Sequence, residues 1–210
     1  APAMLQSILS HIKSARAPKT ALRFVRSSSA PLPSSVEDEL QSKLGVRVIN
    51  SYAMTEAASI VTSQLLEPHG KVIGTLGVPV GNTEVCIVDP DKNVVFTKLG
   101  SGIMGEMCVK STAFQGYMDG SGVCNDGWFR TGDVGYIDEH GNLIFHGTIK
   151  EIINVGGENV SPSEIEDVIA VPGVATIAFP IPDGDLGQVP GLCLVPLLPQ
   201  QDTTKLAKEV

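Results

Sequence analysis

The 210-residue sequence is 42% hydrophobic and 18% charged, which suits packed globular domains and excludes a disordered chain. A formal net charge of -8 excludes a general electrostatic hold on nucleic acid or an anionic membrane, since both need clustered Lys and Arg. With that charge, any polyanionic ligand must be held locally, by backbone amides, a few side chains and a metal, and no apolar run approaches the ~20 residues of a membrane span.

In chain order, Met4, Leu5, Ile8, Leu9 and Ile12 recur at helical spacing in a segment that ends at Pro18. The segment lacks the uninterrupted apolar centre of a signal peptide, which predicts a soluble, unexported protein. A-L-R-F-V, residues 21 to 25, predicts a short strand running into the polar S-S-S-A-P-L-P. Residues 34 to 44 read as a helix: Ser34 and Glu37 have capping-box spacing, Val36, Leu40 and Leu44 share a face, and Gly45 supplies the stop. V-R-V-I follows at once as a second strand. Strand, helix and strand with short joints form a β-α-β unit, with parallel strands and a right-handed crossover. Such sheets bind ligands beyond the carboxyl ends of their strands, where this sequence carries S-S-S-A-P and N-S-Y-A-M-T-E.

From Gly74 the texture changes to short β-type runs separated by Gly, Pro, Asp and Asn. T-E-V-C-I-V, the turn D-P-D-K, G-E-M-C-V-K and the hairpin V-G-Y-I-D, E-H-G-N, L-I-F-H predict an antiparallel barrel or sandwich. After Gly147 a further small unit begins with I-K-E-I-I-N-V-G-G-E-N-V. A capped helix follows at S-P-S-E-I-E-D-V-I, with Ser161 and Glu164 as its box, Pro162 in the first turn, and Ile165, Val168 and Ile169 facing inward. V-A-T-I-A-F-P-I-P-D and G-L-C-L-V-P-L-L supply two more strands. Cys86, Cys108, Cys124 and Cys193 form no C-x-x-C pair and read as reduced thiols, and His11, His69, His140 and His146 are scattered. No metal site built from His or Cys is predicted.

Five motifs in fixed order resemble the adenylate-forming superfamily of acyl-CoA synthetases, luciferases and nonribosomal adenylation domains. R-S-S-S-A-P-L resembles its adenine loop, N-S-Y-A-M-T-E-A its Tyr-Gly-Met-Thr-Glu, and W-F-R-T-G-D-V-G its Trp-Phe-x-Thr-Gly-Asp. G-T-I-K-E-I-I-N-V-G-G resembles its hinge Gly-Arg-x-Lys-Glu, and V-S-P-S-E-I-E the helix opening after it. Each motif alone is weak; their ordered spacing across residues 20 to 200 carries the resemblance. The wording around Tyr-Ala-Met-Thr-Glu-Ala and I-N-V-G-G-E-N-V-S-P looks closest to the oxalate-activating, peroxisomal-type branch, which leaves the location open between cytoplasm and peroxisome.

The resemblance implies α/β plus β: a parallel α/β layer (1–73), an antiparallel β subdomain (74–147), and a hinge with the start of a small α+β C-terminal domain (148–210). It implies an acid-thiol ligase that uses ATP, Mg²⁺ and CoA to activate a carboxylic acid through its adenylate. Thr55 would bond a phosphate oxygen and Glu56 would help to hold Mg²⁺. Tyr52 would stack on adenine against Ser29, Ala30 and Pro31, with Asn50 and Ser51 beside it. Asp133 would accept the ribose hydroxyls. Lys150 would be the hinge, with Thr148 and Asn159 on the nucleotide side of the same region. Plainer alternatives stand beside these roles: Thr55 and Glu56 opening a helix over A-A-S-I-V-T, Tyr52 as a core tyrosine, Asp133 as a turn residue, Lys150 as a solvated charge.

Three departures qualify the resemblance. No Ser/Thr-Gly-rich phosphate loop precedes the adenine loop, and Lys205 and Lys208 lack the Gly-Lys context of the family's terminal lysine. The hinge arginine is Thr148, and Arg130, beside Thr131-Gly132-Asp133, could supply some of the missing charge. The first two departures predict truncation at both ends and no turnover by the isolated chain. Two further readings remain open: a non-catalytic nucleotide-binding or interaction module of the same fold, and an adenylation domain loading a carrier protein.

Overall fold

The computed structural model describes residues 2–12, 21–66, 74–89, 95–96, 102–120, 122, 126–169 and 174–196. The D-P-D-K turn beyond Asp89, Cys124, His69, Lys205 and Lys208 lie outside the described residues. The fold is mixed α/β, with several sheets and few helices. Two compact units divide the chain: Ala1–Thr131 with Gly135–Phe145, and Gly132–Val134 with His146–Val210.

In the first unit, α1 (Pro2–His11) presents Leu5 and Leu9 to a core shared with Leu40 and Val48. β1 spans Phe24–Ser27, three residues further along than its apolar signal suggests, and pairs in parallel with β2 (Arg47–Met54). Between them runs α2 (Ser34–Leu44), closed by Gly45 at φ 66°, whose N–H reaches the Gln41 carbonyl at 2.9 Å. The expected start of α2 is corrected. Its N-cap is Pro33 without a side-chain bond, and Glu37 is drawn inward to accept the Asn50 amide at 3.0 Å. An exposed cap contributes about 1 kcal/mol, whereas a buried amide left unpaired costs about 1–3 kcal/mol, so the buried pairing wins.

β2 extends through N-S-Y-A-M rather than ending before it. A single 3₁₀ turn, Thr55–Ala57, then reverses the chain into β3 (Ser59–Ser63), which pairs antiparallel with β2 and then with β4 (Val78–Pro79). A helix over A-A-S-I-V-T is therefore overturned: Ala58 and Ser59 have positive φ, which stops helical propagation, and the β-branched Ile60, Val61 and Thr62 suit a strand. Gly77 lets the segment before β4 lie directly on the Ser63 backbone, at a φ of 75° and where any Cβ would collide.

A second sheet has the order β6-β5-β7-β8-β9, comprising β5 (Glu84–Val88), β6 (Val95–Phe96), β7 (Gly105–Lys110), β8 (Phe129–Ile137) and β9 (Leu143–Thr148). Cys86 sits opposite Cys108 and Ile87 opposite Met107, so alternate side chains feed opposite faces. Cys86, Val88 and Cys108 pack with Trp128 on one face, while Ile87 and Met107 pack with Leu143 on the other. Burial on both faces over its last three residues explains why E-V-C-I-V is continuously apolar after Glu84. Cys86 and Cys108 are buried free thiols and Cys193 is an exposed one.

In the second unit, β10 (Ile153–Val155) and β11 (Glu158–Val160) form a hairpin whose two-residue turn is Gly156–Gly157, with φ of 60° and 96°. Positive φ at both positions is what a type I′ turn needs. β12 (Val174–Asp183) and β13 (Gly187–Pro196) complete a sheet ordered β11-β10-β13-β12. α3 (Pro162–Val168) has the expected Ser161 and Glu164 capping box, with Glu164 reaching the Ser161 N–H at 3.4 Å. Its inward stripe is corrected: α3 buries none of its residues, and Val168 is 87% exposed. The helix ends at Val168, and it docks on β12 partly through a polar contact, the Glu166 carboxylate accepting the Ala178 N–H at 2.9 Å.

Candidate functional site

The β2–β3 hairpin gathers most of the residues singled out in the first unit. Asn50 and Ser51 are buried within β2; Tyr52 is half-buried, at a register irregularity between Tyr52 and Ala53. Thr55 is exposed and Glu56 half-buried on the turn that follows. Behind this turn a polar network fixes the two strands. The Asn50 N–H donates to Gln64 Oε1 at 2.9 Å, the Gln64 N–H returns to the Asn50 carbonyl at 3.0 Å, and Gln64 Nε2 donates to the Thr75 carbonyl at 2.8 Å. Ser51 donates its hydroxyl to the Ser27 carbonyl at 3.1 Å and so ties β2 to β1. Tyr52 packs against two core clusters, one around Val61 and Val109 and one around Ile87, Met107 and Leu143.

Backbone strain concentrates here. Among the described residues, the non-glycine positions with positive φ are Ser29 (77°), Ala58 (55°) and Ser59 (123°). Ser29 lies with Ala30 and Pro31 in the exposed part of the loop after β1; Ala58 and Ser59 close the Thr55–Ala57 turn. Left-handed backbone at residues with a side chain persists only where surrounding structure imposes it, and it clusters at functional sites.

Glu56 is held by a residue that sequence reasoning missed. The Tyr117 hydroxyl donates to Glu56 Oε1 at 2.5 Å. That bond, followed by burial and the negative charges of Glu56 and Asp119, pushes the Tyr117 phenol above its ordinary value. Tyr117 belongs to an aromatic trio with Phe114 and Phe129, whose ring centroids are 5.0–6.2 Å apart in edge-to-face arrangement. Met54, Glu56, Val109, Phe114 and Phe129 line a crevice beside the turn, and a recess of about 370 Å³, bordered by Asn82, Glu84, Lys110 and Gln115, adjoins it through Ser111 and Phe114. No periodic pattern marks F-Q-G-Y-M-D-G, so only the fold reveals Tyr117.

Arg130 does not stand as a spare cation: its guanidinium pairs with the buried Glu106, the Nε–Oε2 distance being 2.5 Å. This corrects the expectation that it could supply some of the missing hinge charge, since a buried carboxylate requires that partner.

In the second unit, Asp133 is half-buried within β8 rather than in a turn. The Ile149 N–H donates to the Gly132 carbonyl at 2.7 Å, so the segments bearing Asp133 and Thr148–Lys150 are adjacent. Lys150 is exposed on the turn after β9. Thr148 donates its hydroxyl to Glu151 at 3.0 Å, while the Glu151 and Ile152 N–H groups return to the Thr148 carbonyl. Asn159 accepts from Asn154 Nδ2 at 3.1 Å across the β10–β11 hairpin, and Asn154 Oδ1 accepts the Gly157 N–H at 3.0 Å.

Among the described residues no group of three or more His, Cys, Asp and Glu could hold a metal alone. The donor chemistry nevertheless fits Mg²⁺, which binds through one or two carboxylates plus substrate phosphates. Tyr117 engages Oε1 of Glu56, and an ionised carboxylate has about four acceptor sites, so capacity remains. No helix among the described residues is long and apolar enough to cross a membrane.

The sequence matches the family of AMP-binding enzymes over residues 1–118. A probable CoA ligase of Humulus lupulus is 38% identical over 183 residues, covering 83% of this chain and 34% of that protein. An oxalate-CoA ligase of Saccharomyces cerevisiae is 37% identical over 177 residues, covering 80% of this chain and 32% of that protein. ATP-bound MatB from Rhodopseudomonas palustris superposes with a TM-score of 0.74 at 32% identity, over 83% of this chain and 35% of that structure. The chain thus spans about a third of the length of the curated relatives it matches.

Proposed function

The chain belongs to the AMP-binding enzyme family, and from that membership we propose that it is the nucleotide-holding part of an ATP-dependent acid-CoA ligase. In that reaction a carboxylate attacks the α-phosphate of ATP and pyrophosphate leaves; the acyl group of the adenylate then passes to the thiol of CoA. The reading is carried by the hairpin turn that presents Thr55 and Glu56 together, closed by the left-handed Ala58 and Ser59, on strands tied by a buried polar network. Phosphoryl transfer needs little covalent help and much positioning, which a turn over-determined from below provides.

The Thr55 hydroxyl donates to a phosphate oxygen, and the Glu56 carboxylate holds Mg²⁺. When bound, that ion offsets the negative charge of the phosphates. Tyr52, with Ser29, Ala30 and Pro31, borders the base; Asn50 and Ser51 act from behind by fixing the strand. Asp133 accepts the ribose hydroxyls, Lys150 serves as the pivot, and Thr148 and Asn159 border the nucleotide from the hinge region. Small acids, oxalate first, are the proposed substrates, in keeping with the yeast relative's name. Pyrophosphate release from ATP, measured over a panel of acids with the ligase carrying this sequence, tests the assignment. Release with small carboxylic acids and CoA is expected, and activity restricted to amino acids or to a carrier-protein acceptor would refute it.

One observation favours a second reading. Thr148, where the family has arginine, is folded onto Glu151 and offers no cation. A module that binds nucleotide without turnover would tolerate that, and would show nucleotide binding but no pyrophosphate release with any acid.

A further inference from the structure

We propose that Tyr117 is a positioning residue for the Glu56 carboxylate, holding it at the hairpin turn in the orientation that meets a magnesium-bound phosphate. The proposal rests on the reading of Glu56 as the magnesium-side carboxylate. Its structural basis is separate, because Tyr117 lies 61 positions away and comes from a different element.

Three features build the contact. The first is the hydrogen bond itself: at 2.5 Å it has the length of a charge-assisted O–H to carboxylate bond, about twice as strong as a neutral one. The second is ring placement. Phe114 and Phe129 meet the Tyr117 ring edge-on at interplanar angles of 69° and 76°, so the hydroxyl is aimed by packing as well as by its partner. The third is the loop. Tyr117 begins a turn closed by the Gly120 N–H to its carbonyl at 2.9 Å, and Gly122, at φ 99°, lies so near that an added Cβ would stand 2.6 Å from the Tyr117 ring. The loop after β7 therefore comes back over the aromatic trio.

The consequence for the site is directional. Glu56 sits on a three-residue turn, and an untethered carboxylate there samples several rotamers. Fixing Oε1 to Tyr117 selects one of them and leaves the carboxylate's remaining acceptor sites for a cation. Tyr117 is itself 46% exposed, so the bond is not needed to satisfy a buried donor.

The test uses ¹³C-tyrosine-labelled protein, in which the sequence allows only three signals, from Tyr52, Tyr117 and Tyr136. Tyr117→Phe identifies its signal and keeps the ring that packs on Phe114. At neutral pH the Tyr117 Cζ resonance, which reports hydrogen bonding at the phenol oxygen, should move in Glu56→Gln, where a neutral amide replaces the charged acceptor. Calorimetry with Mg-ATP should show Tyr117→Phe weakening affinity about tenfold, the effect of one hydrogen bond to a charged group. A Tyr117 signal unmoved by Glu56→Gln overturns the contact. If that signal moves and Glu56→Gln weakens Mg-ATP while Tyr117→Phe does not, the positioning role falls and the functional reading stands. If Glu56→Gln itself leaves Mg-ATP affinity unchanged, the functional reading falls and the positioning role with it.

Discussion

Replacing Asn50 by Asp keeps the side chain's shape but sets a carboxylate against Glu37, whose Oε2 lies 3.0 Å from the Asn50 amide nitrogen. Both residues are buried, with exposures of 9% and 3%. Two full charges at that separation repel by about 5.5 kcal/mol at an effective dielectric of about 20. The pair escapes part of this by retaining one proton, so that one carboxyl titrates above its ordinary value. Retaining the proton costs about 4–5 kcal/mol near pH 7.5 and about 1 kcal/mol near pH 5, at about 1.4 kcal/mol per unit above an ordinary carboxylate. The sign follows from proton counting: with a raised pKa in the folded state, that state binds more protons than the unfolded chain. Stability of Asn50→Asp is thus retained below about pH 4 and falls as pH rises toward the raised value. Urea denaturation of wild type and Asn50→Asp should give a deficit of about 1 kcal/mol near pH 5 and about 4 kcal/mol near pH 7.5. An equal deficit at both pH values, or none, would refute the buried pairing that anchors the hairpin.

Met107 of β7 is fully buried against Ile87 and Leu143, so Met107→Ala should lower unfolding stability by about 2–5 kcal/mol in denaturant titration. Burial pushes the Asp138 carboxyl up, but hydrogen bonds from the Asn142 side chain and the Asn142 and His140 backbones outweigh it and hold the carboxyl below its ordinary value. Stability from this group is present above an unfolded pKa of about 3.9 and disappears as pH falls through the folded value, so Asp138→Asn should destabilise at pH 7 and converge with wild type in acid. Thr148→Arg supplies the cation of arginine-bearing relatives, and nucleotide affinity should rise about ten- to a hundredfold by calorimetry. No rise would mean that the turn built on Glu151 excludes the arginine's role.

How much could be read from the residues varied along the chain. The extent of α2, its Gly45 stop, β12 and the capping of α3 were all legible, because caps, left-handed glycine and apolar period are local signals. The end of β2 was not: N-S-Y-A-M is polar enough to read as loop, and its strand pairing comes from β3 and Gln64, whose contacts are distant in sequence. Glu37 illustrates the same limit, since capping-box spacing is visible in sequence whereas the competing amide of Asn50 is not. For the site, ordered motifs singled out Thr55 and Glu56 but not the turn that carries them, and Tyr117 and Gln64 enter through tertiary contact alone. Val168 fits a helical period and is still exposed, because the helix stops at that residue.

The nucleotide-site reading converges on Glu56. Calorimetric titration of the protein and its Glu56→Gln variant with ATP, with and without Mg²⁺, and with AMP tests it most directly. The account predicts magnesium-dependent ATP binding that weakens about tenfold or more in Glu56→Gln, through loss of a charged ligand, while AMP binding is unchanged. Identical Mg-ATP affinities in the two proteins would contradict it.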